Sequence, residues 1–145
     1  MPKLILETPE IKMYKTCYRD STVELMVLIG KIPEDNETMI QVFKQMDGIF
    51  EQMILDKRKY YTVYDLSNMS CSMSHSLVLS AVEFFKTIRE KLAVSCICSI
   101  VIFESMVVHT AVSLILKLYA PVKPVHFCTA KDEVPRLVSQ YRQTV

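Results

Sequence analysis

The segment that most constrains the fold is SCICSIVIF at residues 95–103, in which only Ser95 and Ser99 are polar. A continuous hydrophobic run of this length is typical of a strand that is buried on both faces of a sheet. Strands of this kind usually run parallel to their neighbours, because the connecting helices cover both faces of the sheet. The segment therefore predicts a central strand in a mostly parallel sheet.

Strand-like and helix-like segments alternate along the rest of the chain. The segments 4–7 and 12–20 are expected to be extended, and alternating or β-branched apolar residues predict strands at 22–30, 59–66, 95–103 and 123–129. Apolar residues at helical spacing predict helices within 33–59 and at 77–92, 105–120 and 129–144. Alternation of this kind favours right-handed crossovers between parallel strands.

The predicted fold class is therefore α/β. We expect one domain over residues 1–145, with a single mostly parallel sheet of about five strands flanked by about four helices. The expected order is strand–strand–helix–strand–helix–strand–helix–strand–helix. The step Asp20–Ser21 predicts a hairpin turn, so the first two strands of this order are expected to pair antiparallel.

Three stretches of the chain carry a resemblance to a known family: YYTVYDLSNMS at 60–70, VEFFKTIREKL at 82–92, and SIVIFESMVVHTAVSLILKLYAPVKPVHFCTAKDEV at 99–134. With the order of elements and the length, they resemble STAS domains, the fold of the SpoIIAA-type anti-sigma-factor antagonists. The likeness is closest to the SpoIIAA-like branch, which is itself similar to CRAL-TRIO lipid-binding domains. The resemblance covers essentially the whole chain and implies a non-enzymatic module that binds another protein.

A serine-rich loop, DLSNMSCSMSHS at 65–76, lies between a predicted strand and the helix at 77–92. In the family, a hydroxyl residue at the start of this helix is phosphorylated by a partner kinase. The resemblance places the corresponding site at Ser72, Ser74, His75 and Ser76. His75 takes the acceptor's place if Leu77 anchors the alignment, and a shift of one residue makes Ser74 or Ser76 the acceptor.

The chemistry of a helix start leaves two interpretations of these residues open. Unpaired N–H groups and the positive end of the helix dipole can hold an anion or a phosphoserine. Serines are also the preferred residues for helix caps and turns, without any further role. In the family pattern Asp and Gly stand where this chain has Met73 and Ser76, so the sequence departs from that pattern at both places.

The helix predicted at 105–120 carries apolar side chains around most of its circumference. A helix that packs on a sheet needs an apolar face of roughly 100° or a little more. The surplus is covered either by neighbouring helices and the chain ends, or by a protein partner, a second copy of the chain, or a lipid tail. The candidate contact residues are Val108, Val112 and Leu116.

Charge and glycine content argue against several functions. The formal net charge is +1, and the short DKRK at 56–59 is the densest charged block, so nucleic-acid binding is not expected. Only Gly30 and Gly48 occur, too few for a P-loop or a dinucleotide fingerprint. With no recognised metal-ligand spacing and no paired base for a nucleophile, we expect no catalytic residues, no metal, no cofactor and no enzymatic activity.

Cysteine usage and hydropathy suggest a compartment. The five cysteines are odd in number, and the amino-terminal MPKLILETPE lacks the apolar run of a signal peptide, so free thiols in the cytoplasm are expected. Cys96 and Cys98 are expected to lie on one face of a strand, in the core. Glu104 and several polar residues interrupt the most apolar region, 93–122, so a transmembrane span is not expected.

Two functional hypotheses follow from the sequence. The first is a STAS-like protein-interaction module, regulated by phosphorylation in the serine loop 70–76. The alternative is a small hydrophobic-ligand or lipid-binding domain of CRAL-TRIO-like character, for which the apolar helix at 105–120 is the main sequence feature.

Overall fold

The computed structural model describes residues 2–33, 35–69 and 74–142. These residues form six strands, five α-helices and one 3₁₀ turn. In chain order the elements are β1 (Lys3–Glu7), β2 (Ile11–Cys17), β3 (Val23–Ile29), α1 (Asn36–Leu55), β4 (Tyr60–Asp65), α2 (His75–Thr87), α3 (Arg89–Ser95), β5 (Cys96–Ile102), α4 (Met106–Tyr119), β6 (Val125–Cys128), the 3₁₀ turn (Lys131–Glu133) and α5 (Val134–Arg142).

All six strands belong to one mixed sheet, in which they lie side by side in chain order. β1 pairs antiparallel with β2 and β2 with β3, whereas β3, β4, β5 and β6 pair parallel. The α/β class is confirmed. The described residues form six strands and five α-helices. The sheet is mixed because the first three strands are joined by short turns, which allow only antiparallel pairing.

Four helices form a layer on one face of the sheet. α1 packs against α2 and α3, and α2 packs against α4, which places them together. This follows from the topology, because right-handed crossovers that always step to the next strand put every helix on the same side. The main core cluster lies between this layer and the sheet and includes Val27, Met46 and Phe50.

The opposite face of the sheet is covered in part by α5, which packs against β5. Leu137 and Val138 of α5 belong to one buried cluster with Cys98 and Ile100. β5 is therefore buried on both faces, as its hydrophobic run predicts, since its residues divide between this cluster and those on the helix layer's side.

An irregularity in β5 changes which side chains face the helix layer. Tyr60 of β4 pairs with Cys96 but Thr62 pairs with Ser99, so β5 has one extra residue in this interval. Cys96 consequently lies in the cluster under the helix layer, and Cys98 lies in the cluster under α5. The prediction that both thiols share one face is wrong, because this bulge breaks the period-two alternation of the strand.

Two local details concern the helices. Asp35 caps α1, since its side chain accepts a hydrogen bond from the Thr38 N–H at 2.7 Å, in agreement with the sequence. The helix predicted at 77–92 is two helices, α2 and α3, that meet at the buried residue Ile88. Gly48 in α1 has no atom within 4 Å of the place a Cβ would occupy, so it does not serve close packing.

Candidate functional site

A cavity of about 150 Å³ lies between the sheet and the helix layer. Its floor is formed by side chains of the sheet, among them Val27, Ile29, Tyr64, Ser99, Val101 and Val125. Its roof consists of side chains from α1, α2 and α4, among them Val42, Phe43, Ala81, Phe85, Val112 and Leu116. The lining is almost entirely apolar, which is the character of a small-molecule pocket.

A cavity of this size is unusual because protein interiors are close-packed. An engineered apolar cavity of similar volume stays dry and binds benzene. Side chains that border an unfilled space lose dispersion contacts, which an apolar occupant would restore. The energetics therefore favour an apolar occupant.

Few polar groups line the cavity, and one of them is the hydroxyl of Ser99 on β5. The Thr62 hydroxyl, which is completely buried, donates to Ser99 Oγ at 2.7 Å. This bond holds the Ser99 oxygen as an acceptor and leaves its single hydrogen to point elsewhere. Ser99 shares this face of β5 with Val101 by regular strand alternation, whereas Cys96 reaches the same face because of the bulge.

Cys96 also lines the cavity, and its environment keeps the thiol protonated. Burial raises the pKa of Cys96 to about 12, although hydrogen bonding to Ser99 and the positive charge of Lys123 act in the opposite direction. Since the thiolate is the reactive form of cysteine, this side chain contributes packing and not nucleophilic chemistry at neutral pH.

Charged residues lie at the two ends of the cavity. Glu10 and Lys31 line one end, where β3 finishes, and Lys123 lines the other, just before β6 begins. β3 and β6 run in the same direction, so these two groups are separated by the length of the sheet. The cavity is thus an apolar passage with polar ends.

The structure places the three predicted contact residues of α4 in different surroundings. Val112 and Leu116 line the cavity. Val108 is 1% exposed and packs in a cluster with Leu66 and Val101. None of the three is among the large apolar side chains that α4 exposes to solvent, which are Met106, Val107, Leu114 and Leu118. The sequence pattern shows that α4 carries apolar residues around most of its circumference. It does not show which side of the helix the rest of the protein covers.

Only part of the predicted serine site falls within the described residues, since Ser72 lies outside them. Ser74 caps α2, where its hydroxyl accepts a hydrogen bond from the Leu77 N–H at 3.3 Å. The hydroxyls of Ser74 and Ser76 lie 3.3 Å apart. Ser74, His75 and Ser76 are all exposed at the amino end of the helix.

Asp65 at the end of β4 takes part in a structural network. Its carboxylate accepts hydrogen bonds from the backbone and the hydroxyl of Ser67, and it pairs with Lys131 Nζ at 3.0 Å. These bonds hold the loop that follows β4. His109 packs between the rings of Phe103 and Phe127, with centroid distances of 4.7 and 4.5 Å. In the described ranges, no three His, Cys, Asp or Glu side chains cluster as metal ligands would.

Comparison with known proteins gave no match to a protein-family model, a curated protein or a solved structure.

No helix in the part of the chain that the structure describes is both long enough and apolar enough to cross a bilayer.

Proposed function

We propose that this protein is a non-enzymatic, STAS-like domain that binds a small hydrophobic ligand in the cavity between its sheet and its helix layer. The observation that carries the proposal is the cavity itself, about 150 Å³ in volume and lined by apolar side chains from both layers. Val112 and Leu116, two residues that the sequence proposes as lipid contacts, line it. The resemblance to CRAL-TRIO domains supports the same function.

A ligand in the cavity makes dispersion contacts that the side chains of the protein alone do not make. An apolar group that enters the cavity removes its own surface from water and gains dispersion contacts with the lining. A ligand that binds only the folded state stabilises it, by about 2.7 kcal/mol when its concentration is a hundred times its dissociation constant. Binding should therefore be visible as a rise in Tm.

The test uses decan-1-ol, a neutral aliphatic probe, with native mass spectrometry and thermal denaturation as readouts. We expect the unmodified protein to bind it and to melt at a higher temperature in its presence. Val112→Phe places a larger side chain in the cavity and should abolish both effects. Leu118→Phe is the matched control, since Leu118 lies on the same helix and is 46% exposed.

Absence of any bound mass and of any rise in Tm for the unmodified protein would refute the proposal. An equal response from Val112→Phe and the unmodified protein would also refute it, since the probe would then bind elsewhere. Protein purified without detergent should, in addition, carry a small co-purifying molecule that Val112→Phe lacks.

A second candidate function is the protein-interaction module regulated at the serine loop. The observation that favours it is the exposure of Ser74 and Ser76 at the positive end of α2. Phosphopeptide mapping of the chain isolated from its own cells tests it, with the exposed Ser139 of α5 as the internal comparison. Phosphate at Ser74 or Ser76 and not at Ser139 supports the module; its absence from both loop serines counts against it.

A further inference from the structure

We propose that the ligand is a single-chain aliphatic carboxylate, with its carboxylate paired to Lys123 and its tail in the cavity. This inference rests on the proposed ligand-binding function and adds the chemical class and the orientation of the ligand. The distribution of charge and of hydrogen-bond donors along the cavity supports it.

At the Lys123 end of the cavity, the Lys123 ammonium forms no ion pair with a carboxylate of the described residues. Lys123 is half-buried and lines the cavity with Cys96, Ser99, Tyr119 and Pro121, none of which carries a negative charge at neutral pH. Among the described residues, no carboxylate lies within 4 Å of its ammonium, although other lysines form such pairs, for example Lys91 with Asp47. A half-buried, unpaired ammonium is stabilised by an anion that arrives with the ligand.

A buried donor without an acceptor lies near the same end. The Tyr60 hydroxyl is buried and has no hydrogen-bond partner within the described parts of the chain. Tyr60 pairs with Cys96 in the sheet. Burial, followed by the proximity of Cys96, Tyr64 and Tyr119, raises its pKa, so the hydroxyl keeps its proton. The Tyr60 hydroxyl is thus a second protonated donor on the strand beside the Cys96 end of the cavity, a feature that favours an anion there.

The other end of the cavity disfavours an anion. Glu10 lines it, and only 7% of this residue is exposed. A second carboxylate at this end would meet the negative charge of Glu10 at short range in a poorly solvated place. Lys31 is also present there but is exposed to solvent, so its charge is better screened than that of Glu10. The charges therefore orient the ligand with its head at Lys123.

The volume selects a single chain. A space of about 150 Å³ is too small for two acyl chains side by side. Along β5 the lining extends from Cys96 to Val101, which pair with Tyr60 and Tyr64 of β4, so at 3.3 Å per residue of β4 the span is roughly 13 Å. A narrow passage of this length suits one extended aliphatic tail and excludes the paired tails of a phospholipid.

The test compares decanoate with decan-1-ol, which share a chain length and differ in the charged head. Dissociation constants are measured by calorimetry at pH 8, where the carboxylate is ionised, for the unmodified protein, Lys123→Met and Lys31→Met. We expect the unmodified protein to bind decanoate about tenfold more tightly than decan-1-ol, the scale of one charged hydrogen bond. Lys123→Met should remove this preference, so that it binds the two probes with equal affinity, whereas Lys31→Met should retain the preference.

The possible outcomes separate this inference from the function on which it rests. Equal affinities of the unmodified protein for the two probes, or a preference that survives in Lys123→Met, would overturn the carboxylate and its orientation while leaving a hydrophobic-ligand site. Failure to bind either probe would overturn both. Cooperative thermal unfolding of Lys123→Met shows that this variant is folded. Tight binding of a dispersed phospholipid with no binding of decanoate would also contradict the single-chain ligand.

Discussion

At the scale of single residues, backbone conformation and charge explain features that hydrophobic pattern does not. Ala120 ends α4 in the left-handed region, with φ 58° and ψ 78°, and its carbonyl accepts a hydrogen bond from Arg89. Glycine is the usual residue at this place in a helix terminus, because a Cβ is unfavourable there. The pattern of α4 predicts where the helix ends but not this conformation.

Ala120→Gly should therefore raise the free energy of unfolding by about 1 kcal/mol, measured by denaturant titration. Ala130 is the matched control, since it is also exposed but adopts extended backbone with φ −142°. Ala130→Gly should give no gain, because glycine there only increases the freedom of the unfolded chain. A gain of equal size from both substitutions would show that the conformation of Ala120 carries no strain.

Asp65 makes stability depend on pH. Burial alone would raise its pKa, but hydrogen bonds from Ser67 and the Lys131 ammonium outweigh this effect and hold the pKa below its usual value. A carboxyl with a lowered pKa in the folded state stabilises the fold above its unfolded pKa, near 3.9, and this contribution is lost as the pH falls through the folded pKa. The ion pair with Lys131 should thus matter at neutral pH and not in acid.

Lys131→Met should lower the free energy of unfolding at pH 7 by about 1 kcal/mol or less, because Lys131 is largely exposed. The difference from the unmodified protein should shrink below about pH 4 as Asp65 takes up a proton. Lys44→Met is the control, since Lys44 forms no ion pair with the residues that the structure describes. A loss that does not change with pH would mean that Lys131 acts through packing.

At the scale of elements, serine is the N-cap residue of two helices, but its side chain makes a capping hydrogen bond in only one of them. Ser74 precedes α2 and its hydroxyl accepts from the Leu77 N–H at 3.3 Å. Ser105 precedes α4 in a similar extended conformation but makes no side-chain cap hydrogen bond. Serine is a favoured cap residue at both places, but whether its hydroxyl accepts the bond depends on the rotamer that the surroundings allow.

Ser74→Ala should destabilise the protein by about 0.5–1 kcal/mol, since an N–H at the start of α2 loses its acceptor. Ser105→Ala should cost less, because there is no such bond to lose. Equilibrium unfolding of the two variants under one set of conditions provides the comparison. Equal losses would indicate that serine acts through its intrinsic preference for this position and not through the bond at Ser74.

At the scale of the whole molecule, the cavity results from how two layers meet. Three crossovers in one direction place α1, α2 and α4 over the four parallel strands, and the side chains between them leave about 150 Å³ unfilled. Val108 and Val112 are one helical turn apart on α4, yet Val108 is tightly packed and Val112 borders the cavity. Nothing local to these two valines distinguishes them.

The same enlargement at these two sites should therefore have different effects on stability. Val112→Phe has space to enter, so the unligated protein should lose little stability or gain some through added contacts. Val108→Phe overfills a packed cluster and should cost about 1–3 kcal/mol. Thermal and denaturant unfolding of both variants without ligand measures the difference. A similar loss from the two would mean that no space exists beside Val112.

The sequence alone determined the α/β class and the approximate positions of the strands and helices. These features depend on interactions between residues a few positions apart, which periodicity and residue type record. The tertiary structure decided that the thiols of Cys96 and Cys98 lie on opposite faces of β5, because the bulge arises only when β5 pairs with β4. It also decided that Ser99, Val112 and Lys123 border one cavity, since residues far apart in the chain meet only when the helix layer packs on the sheet.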